Sequence, residues 1–201
     1  MYHSSKISND TRVPHKMDTR TLRSRQAIIQ AGLTLWLNND DSTLVDIAKV
    51  AKVGRATIYR QFADKEQLQV AIALYCLDRF DEVNSHVEAE ATDALDAIRL
   101  ILQNTLPLFA EFTFLSKSER LLSNNSKFQI RLQAQNDELR DLINQALKQG
   151  LLNDKFSAAW IFHLFEGVLW AGYQALETGL CSPTQAAELA FSSFKSGVCH
   201  Y

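Results

Sequence analysis

The chain has 201 residues, 46% of them hydrophobic, enough for a buried core and for one or two domains. Its 7 Gly and 3 Pro are too few for an all-β protein with many turns, and they point to helices. The net charge of −2 excludes nothing by itself, but residues 1–65 carry 11 Lys/Arg against 6 Asp/Glu (net +5) and residues 66–201 carry 10 against 17 (net −7), so one end is suited to a polyanion and the other is not.

Residues 1–18 are polar and carry Pro14, which predicts a flexible arm. A first helix is predicted from about Thr19 to Leu37, with Ile28, Ala31, Gly32, Leu35 and Trp36 on one face. It stops at the turn-forming run Asn38 to Asp41, and Ser42 or Thr43 caps a second helix. That helix is about two turns long and aligns Leu44, Ile47, Ala48 and Ala51. A third, short helix runs from about Arg55 to Phe62, with Gly54 at its N-cap. Asp64, three residues before Gln67, caps a fourth that carries Leu68, Ile72 and Tyr75 and reaches about Ala89. Asp93 to about Phe114 is another helix, bent or broken at Pro107. Leu115 to Asn125 is a short helix or connection. Ser126 to Gln149 is an amphipathic helix ended by Gly150, and Lys155 to Thr178 is a long one ended by Gly179. Ser182-Pro183 opens the last, since proline suits a first helical position. The fold class is all-α: a three-helix helix-turn-helix unit over 19–64, then a bundle of about six helices over 65–201.

Three short helices followed by a long one, with the tight turn Lys52-Val53-Gly54, form a helix-turn-helix pattern. Ile58 and Phe62 lie four apart and turn inward, with Val53 filling the turn. Arg55, Ala56, Thr57, Tyr59, Arg60 and Gln61 are left for the other faces. A recognition helix offers its N-terminal residues to base edges. Arg55 can fork to guanine O6 and N7, the Thr57 and Tyr59 hydroxyls can donate to phosphates, and Lys65 adds charge. An ordinary solvated helix is the competing reading.

From Arg25 to Leu68 the chain resembles the DNA-binding domain of the TetR family of transcriptional regulators. The matching pieces are Ile28–Trp36 (IIQAGLTLW), Thr43–Ala51 (TLVDIAKVA), Val53–Phe62 (VGRATIYRQF) and Asp64–Leu68 (DKEQL). The resemblance implies that Thr57, Tyr59 and Lys65 contact DNA backbone, that Arg55, Ala56 and Gln61 face bases, and that Ser42 or Thr43 contacts phosphate. Two residues depart from the family's pattern. Lys52 stands where a turn glycine is usual, and Gly54 where a Ser or Thr caps the recognition helix and touches phosphate.

The resemblance further implies a C-terminal ligand pocket and dimer interface. Leu102, Leu106, Phe109, Phe112, Phe114 and Phe128 are candidates for an apolar lining, with His86, Gln103, Asn104 and Arg131 as polar contacts for a small hydrophobic ligand. Aromatic residues at this spacing also suit plain core. For the interface, Trp160, Leu164, Gly167 and Ala171 make one stripe, joined by Phe191, Phe194 and Val198 on the last helix. Gly167 and Ala171 are expected to allow close approach in a two-fold, four-helix homodimer, which a palindromic operator on double-stranded DNA requires.

His163 and Glu166 are three apart, but two ligands without a second pair do not make a metal site, so no metal or cofactor is expected. No nucleophile–base pair or phosphate loop is present, and no catalysis is expected. Cys76, Cys181 and Cys199 are few and widely spaced, which suits a reducing cytoplasm. The start of the chain has no apolar signal core, and Ala158 to Leu176, interrupted by His163 and Glu166, reads as a buried helix rather than a membrane span. The expected function is a sequence-specific transcriptional regulator, a repressor released by a small ligand. The alternatives are a DNA-binding protein of this fold with no small-molecule effector, and an all-helical enzyme or interaction domain.

Overall fold

The computed structural model describes residues 19–39 and 41–199, so the arm expected over 1–18 lies outside the described residues. These residues form α1 (Thr19–Asn38), α2 (Leu44–Val50), α3 (Arg55–Gln61), α4 (Lys65–Asn84), α5 (Val87–Glu90), α6 (Ala94–Thr105), α7 (Phe109–Leu122), α8 (Ser126–Lys148), α9 (Ala158–Glu177) and α10 (Pro183–Val198). The all-α class holds, with the bundle formed by α4 to α10 including the one-turn α5.

Helix ends follow side-chain chemistry. Thr43, not Ser42, caps α2: its hydroxyl accepts from the Asp46 N–H, and the Asp46 carboxylate accepts from the Thr43 N–H at 3.1 Å. Ser42 is buried instead, and its carbonyl accepts from Trp36 Nε1 at 3.0 Å. Asp64 caps α4 through the Gln67 N–H at 2.8 Å. Ser182 and Gln185 form a reciprocal capping box at the start of α10, behind Pro183.

Two boundaries differ from expectation. The fourth helix ends at Asn84 rather than near Ala89, and a separate turn, α5, follows. Of the bend or break expected at Pro107, the break is found, because proline has no N–H to continue the ladder. Phe109 to Phe114 therefore open α7, which runs on to Leu122 through the stretch expected as a separate short helix or connection.

There are two apolar cores. The first gathers α1, α2, α3 and the first half of α4, and is completed by Phe114, Leu122 and Phe128 from α7 and α8. It thus extends across residue 64. Gly32 allows α1 to approach α4, since a Cβ there would stand 2.7 Å from Ile72 Cδ1. The second core joins α6, the end of α8, α9 and α10. α4 leads from the first core to contacts with α6 and α8, and α8 contributes buried residues to both cores.

Candidate nucleic-acid interface and the regulatory bundle

α2 ends in a Schellman arrangement: the Lys52 N–H donates to Lys49 at 3.2 Å and the Val53 N–H to Ala48 at 3.0 Å. This places Lys52 at φ 55°, the left-handed region where glycine is favoured. A lysine costs about 1 kcal/mol there, but it stands exposed at the turn beside α3. Gly54 is the N-cap of α3 and supplies no side-chain bond.

α3 buries one side chain, Ile58, and hands over to buried Phe62. Arg55, Ala56, Tyr59 and Arg60 are exposed on the opposite side, and Thr57 is half-buried at its edge. Tyr59 is 51% exposed, a large ring left in solvent by a helix of seven residues. The inner side is pinned: Gln61 Nε2 donates to Ser24 Oγ at 2.7 Å, and the Arg25 guanidinium lies over the Phe62 ring at 4.4 Å. Gln61 is therefore turned toward α1, whereas Arg55 and Ala56 point outward. Lys65 lies over the Trp36 ring at 5.2 Å, and Thr43 is exposed while Ser42 is not. The sequence reading missed Ser24 and Arg25, since nothing in the linear pattern pairs α1 with the end of α3.

The residues expected to line a ligand pocket are divided between the two cores. Leu102 and Leu106 are fully buried in the second core and Phe109 is packed against it, but Phe128 belongs to the first. Gln103 is exposed and accepts from Arg99 at 3.0 Å. Arg131 is tied to α4, its Nη2 donating to Asp78 at 2.8 Å and Asp81 at 2.7 Å, and these bonds raise its pKa. On α9, packed against α6 and α7, stands Tyr173, which the sequence reading overlooked. Its ring stacks on Phe112 with centroids 3.9 Å apart, and its hydroxyl donates to the Thr105 carbonyl at 2.9 Å.

The stripe on α9 is divided. Trp160, Gly167 and Ala171 are exposed, and Leu164 lies against α10, where a Cβ on Gly197 would stand 3.0 Å from Leu164 Cδ2. Trp170, not singled out beforehand, is 49% exposed beside them. Phe191 is half-buried, but Phe194 has no exposure and meets Phe165 edge-on at 6.2 Å, so it is core of its own subunit. Close helix approach occurs at Gly172, where a Cβ would stand 2.6 Å from Leu106 Cδ2, whereas Gly167 faces open space. His163 Nδ1 and Glu166 Oε2 share a hydrogen bond of 2.8 Å.

A helix-turn-helix with a solvated, basic second helix, mounted on a larger helical bundle, defines a DNA-binding regulator class. Comparison with known proteins agrees. Residues 39–72 match the sequence model of a family described as bacterial regulatory proteins, tetR family. The chain is 22% identical over 176 residues to the HTH-type transcriptional repressor LfrR of Mycolicibacterium smegmatis, spanning 88% of this chain and 90% of that one. It is 32% identical over 111 residues to the HTH-type transcriptional regulator AlkX of Mycobacterium tuberculosis, spanning 54% of this chain and 51% of that one. The crystal structure of LfrR in complex with proflavine superposes with a TM-score of 0.74 at 20% identity, over 90% of this chain and 99% of that one. A regulator from Saccharomonospora viridis in complex with choline gives 0.73 at 16% identity, over 90% and 100%. Residues 39–72 thus carry the DNA-binding signature of the TetR family, and the chain has the fold of TetR-type transcriptional regulators over most of its length. The relatives are regulators, not enzymes, and no helix among the described residues is long and apolar enough to cross a membrane.

Proposed function

We propose that the chain is a cytoplasmic, homodimeric repressor of a palindromic operator, and that a small ligand in the regulatory bundle releases it from DNA. The observation that carries the DNA reading is the outward face of α3, where Arg55, Ala56, Tyr59 and Arg60 stand together in solvent over a single buried anchor, Ile58. On this reading Arg55 and Ala56 meet base edges. Thr43, Lys52, Thr57, Tyr59 and Lys65 meet the phosphate backbone, with Arg60 at the border. Gln61 acts on bases only after leaving Ser24, and Ser42 and Gly54 act through their backbone.

The exposed stripe of Trp160, Gly167 and Ala171, with Leu189 at 58% exposure on α10, supports a two-fold interface between second copies of α9 and α10. α4 would carry the signal. It starts directly after the reading helix and is bound to α8 through Arg131, so a ligand that moves α4 changes the spacing of two heads. One observation favours the reading without a small effector: Tyr173 and Phe112 fill the centre of the bundle.

Fluorescence anisotropy on operator fragments in a series of salt concentrations tests the proposal. The expected slope of log K against log salt is about −0.9 per phosphate neutralised, and the complex should sediment as a dimer on DNA. A flat salt response, or one protomer per site, overturns it.

A further inference from the structure

We propose that the cleft where the reading head meets the bundle binds a small amino-carboxylate zwitterion with an apolar side chain, held by Arg25 and Gln61. The cleft is separate from the centre of the bundle, and the inference does not rest on the effector reading above.

The cleft has a volume of about 460 Å³, within the range of small-molecule sites. α1, the end of α3, the start of α4 and the start of α8 form it. Two of its polar groups are left without partners. Ser24 Oγ gives its one proton to the Thr21 carbonyl at 3.0 Å, so toward Gln61 it can only accept, and it does so from Nε2 at 2.7 Å. This fixes the amide, and Gln61 Oε1 is left buried with no donor. Beside it, the half-buried Arg25 guanidinium lies over the Phe62 ring at 4.4 Å. No acceptor among the described residues engages its edge, and burial alone bears on its pKa, pushing it down. A stacked guanidinium keeps its in-plane fork for a carboxylate. The buried acceptor lacks an N–H donor and the half-buried cation lacks an anion, and one ligand can bring both.

The rest of the lining fits the same ligand. Asp64 is engaged by the Gln67 N–H at 2.8 Å, and Gln67 Oε1 accepts from the Ala63 N–H at 3.2 Å. Glu66 and Lys127 stand exposed on the rim, one of each sign. A ligand of single charge meets a like charge there, whereas a zwitterion has an opposite charge to offer each of them. Val70, Ala71 and Leu74 share one face of α4 and give the ligand's side chain an apolar wall. Because the cleft touches α3, α4 and α8, a ligand in it braces the reading head against the bundle and keeps Gln61 on Ser24.

The test is calorimetric titration of the full-length protein with L-leucine, with 4-methylpentanoate, which lacks the ammonium group, and with 3-methylbutylamine, which lacks the carboxylate. Leucine should bind about tenfold or more tighter than either analogue, the effect of one charge-assisted hydrogen bond. Arg25→Gln should remove the preference over 3-methylbutylamine and keep that over 4-methylpentanoate. Gln61→Met, similar in size but without the amide acceptor, should do the reverse. A smaller wild-type preference over either analogue overturns the proposal, as do preferences that the two variants leave unchanged or lower alike. So does absence of leucine binding at millimolar concentration by protein that still binds its operator, and that outcome leaves the DNA reading standing. If a variant does not fold, the two wild-type ratios decide alone.

Discussion

Gly172 on α9 lies directly against Leu106 at the end of α6, where a Cβ would stand 2.6 Å from Leu106 Cδ2 and 3.2 Å from Cδ1. Leu106 has no exposure and precedes Pro107, so it has little room to yield. Gly172→Ala should destabilise the fold by about 1–3 kcal/mol through overpacking. Gly167→Ala, one and a half turns earlier with its Cβ in open space, should stabilise the protomer by about 1 kcal/mol through helix propensity. Urea unfolding of the two variants checks the contrast.

The interface expectation can be separated from the core. Phe194→Glu would bury an unpaired charge against Phe165 and should unfold the subunit, so it cannot report on association. Trp160→Glu and Gly167→Arg lie on the exposed stripe and should leave helical circular dichroism intact while producing monomers in sedimentation. Persistent dimers of both variants at low micromolar concentration would place the interface elsewhere.

Lys52 carries two opposed effects. Lys52→Gly should relieve the positive φ and stabilise the domain by about 1 kcal/mol. It should also weaken operator binding and flatten the salt slope by about 0.9 per protomer if the lysine neutralises one phosphate. Thermal unfolding and a salt titration read the two effects independently.

Thr43→Ala should cost about 1 kcal/mol by removing the cap of α2. The Asp46 carboxylate is held below its usual range first by the Thr43 hydroxyl and then by the Thr43 N–H. A depressed folded pKa means that this contribution is present above the unfolded value and is lost as pH falls through the folded one. Stability of the wild type should therefore fall toward that of Thr43→Ala in the acid range, and the two should differ most near neutrality.

The helix-turn-helix was legible because its signals are local. Thr43 and Asp46 are three residues apart, Lys52 and Gly54 mark the turn, and Ile58 and Phe62 are four apart. The bundle was legible as helices but not as a site. Pro107 marked a break without saying on which side Phe109 and Phe112 would fall. Phe128 and Leu102 looked alike in the sequence, yet they lie in different cores because α8 is long enough to serve both. The contacts that place Tyr173 on Phe112, and Arg131 on Asp78 and Asp81, join residues more than 40 positions apart. No periodicity encodes such pairings. Gly167 and Gly172 are also equivalent by composition, and only the position of Leu106 separates them.

Tyr59→Phe should weaken binding to all DNA sequences alike, since a phosphate contact carries no sequence information. Arg55→Ala should relax the preference at one position per half-site by about 1–3 kcal/mol. Sequencing the genomic fragments captured by wild-type protein, beside those captured by Arg55→Ala, tests the central claim that α3 reads base edges in a two-fold complex. The account predicts an inverted repeat whose half-site centres are separated by about one helical turn of DNA or a multiple of it. It predicts that the same repeat is recovered by Arg55→Ala with one degenerate position in each half. Fragments with no common motif, or an unchanged motif in Arg55→Ala, would contradict it.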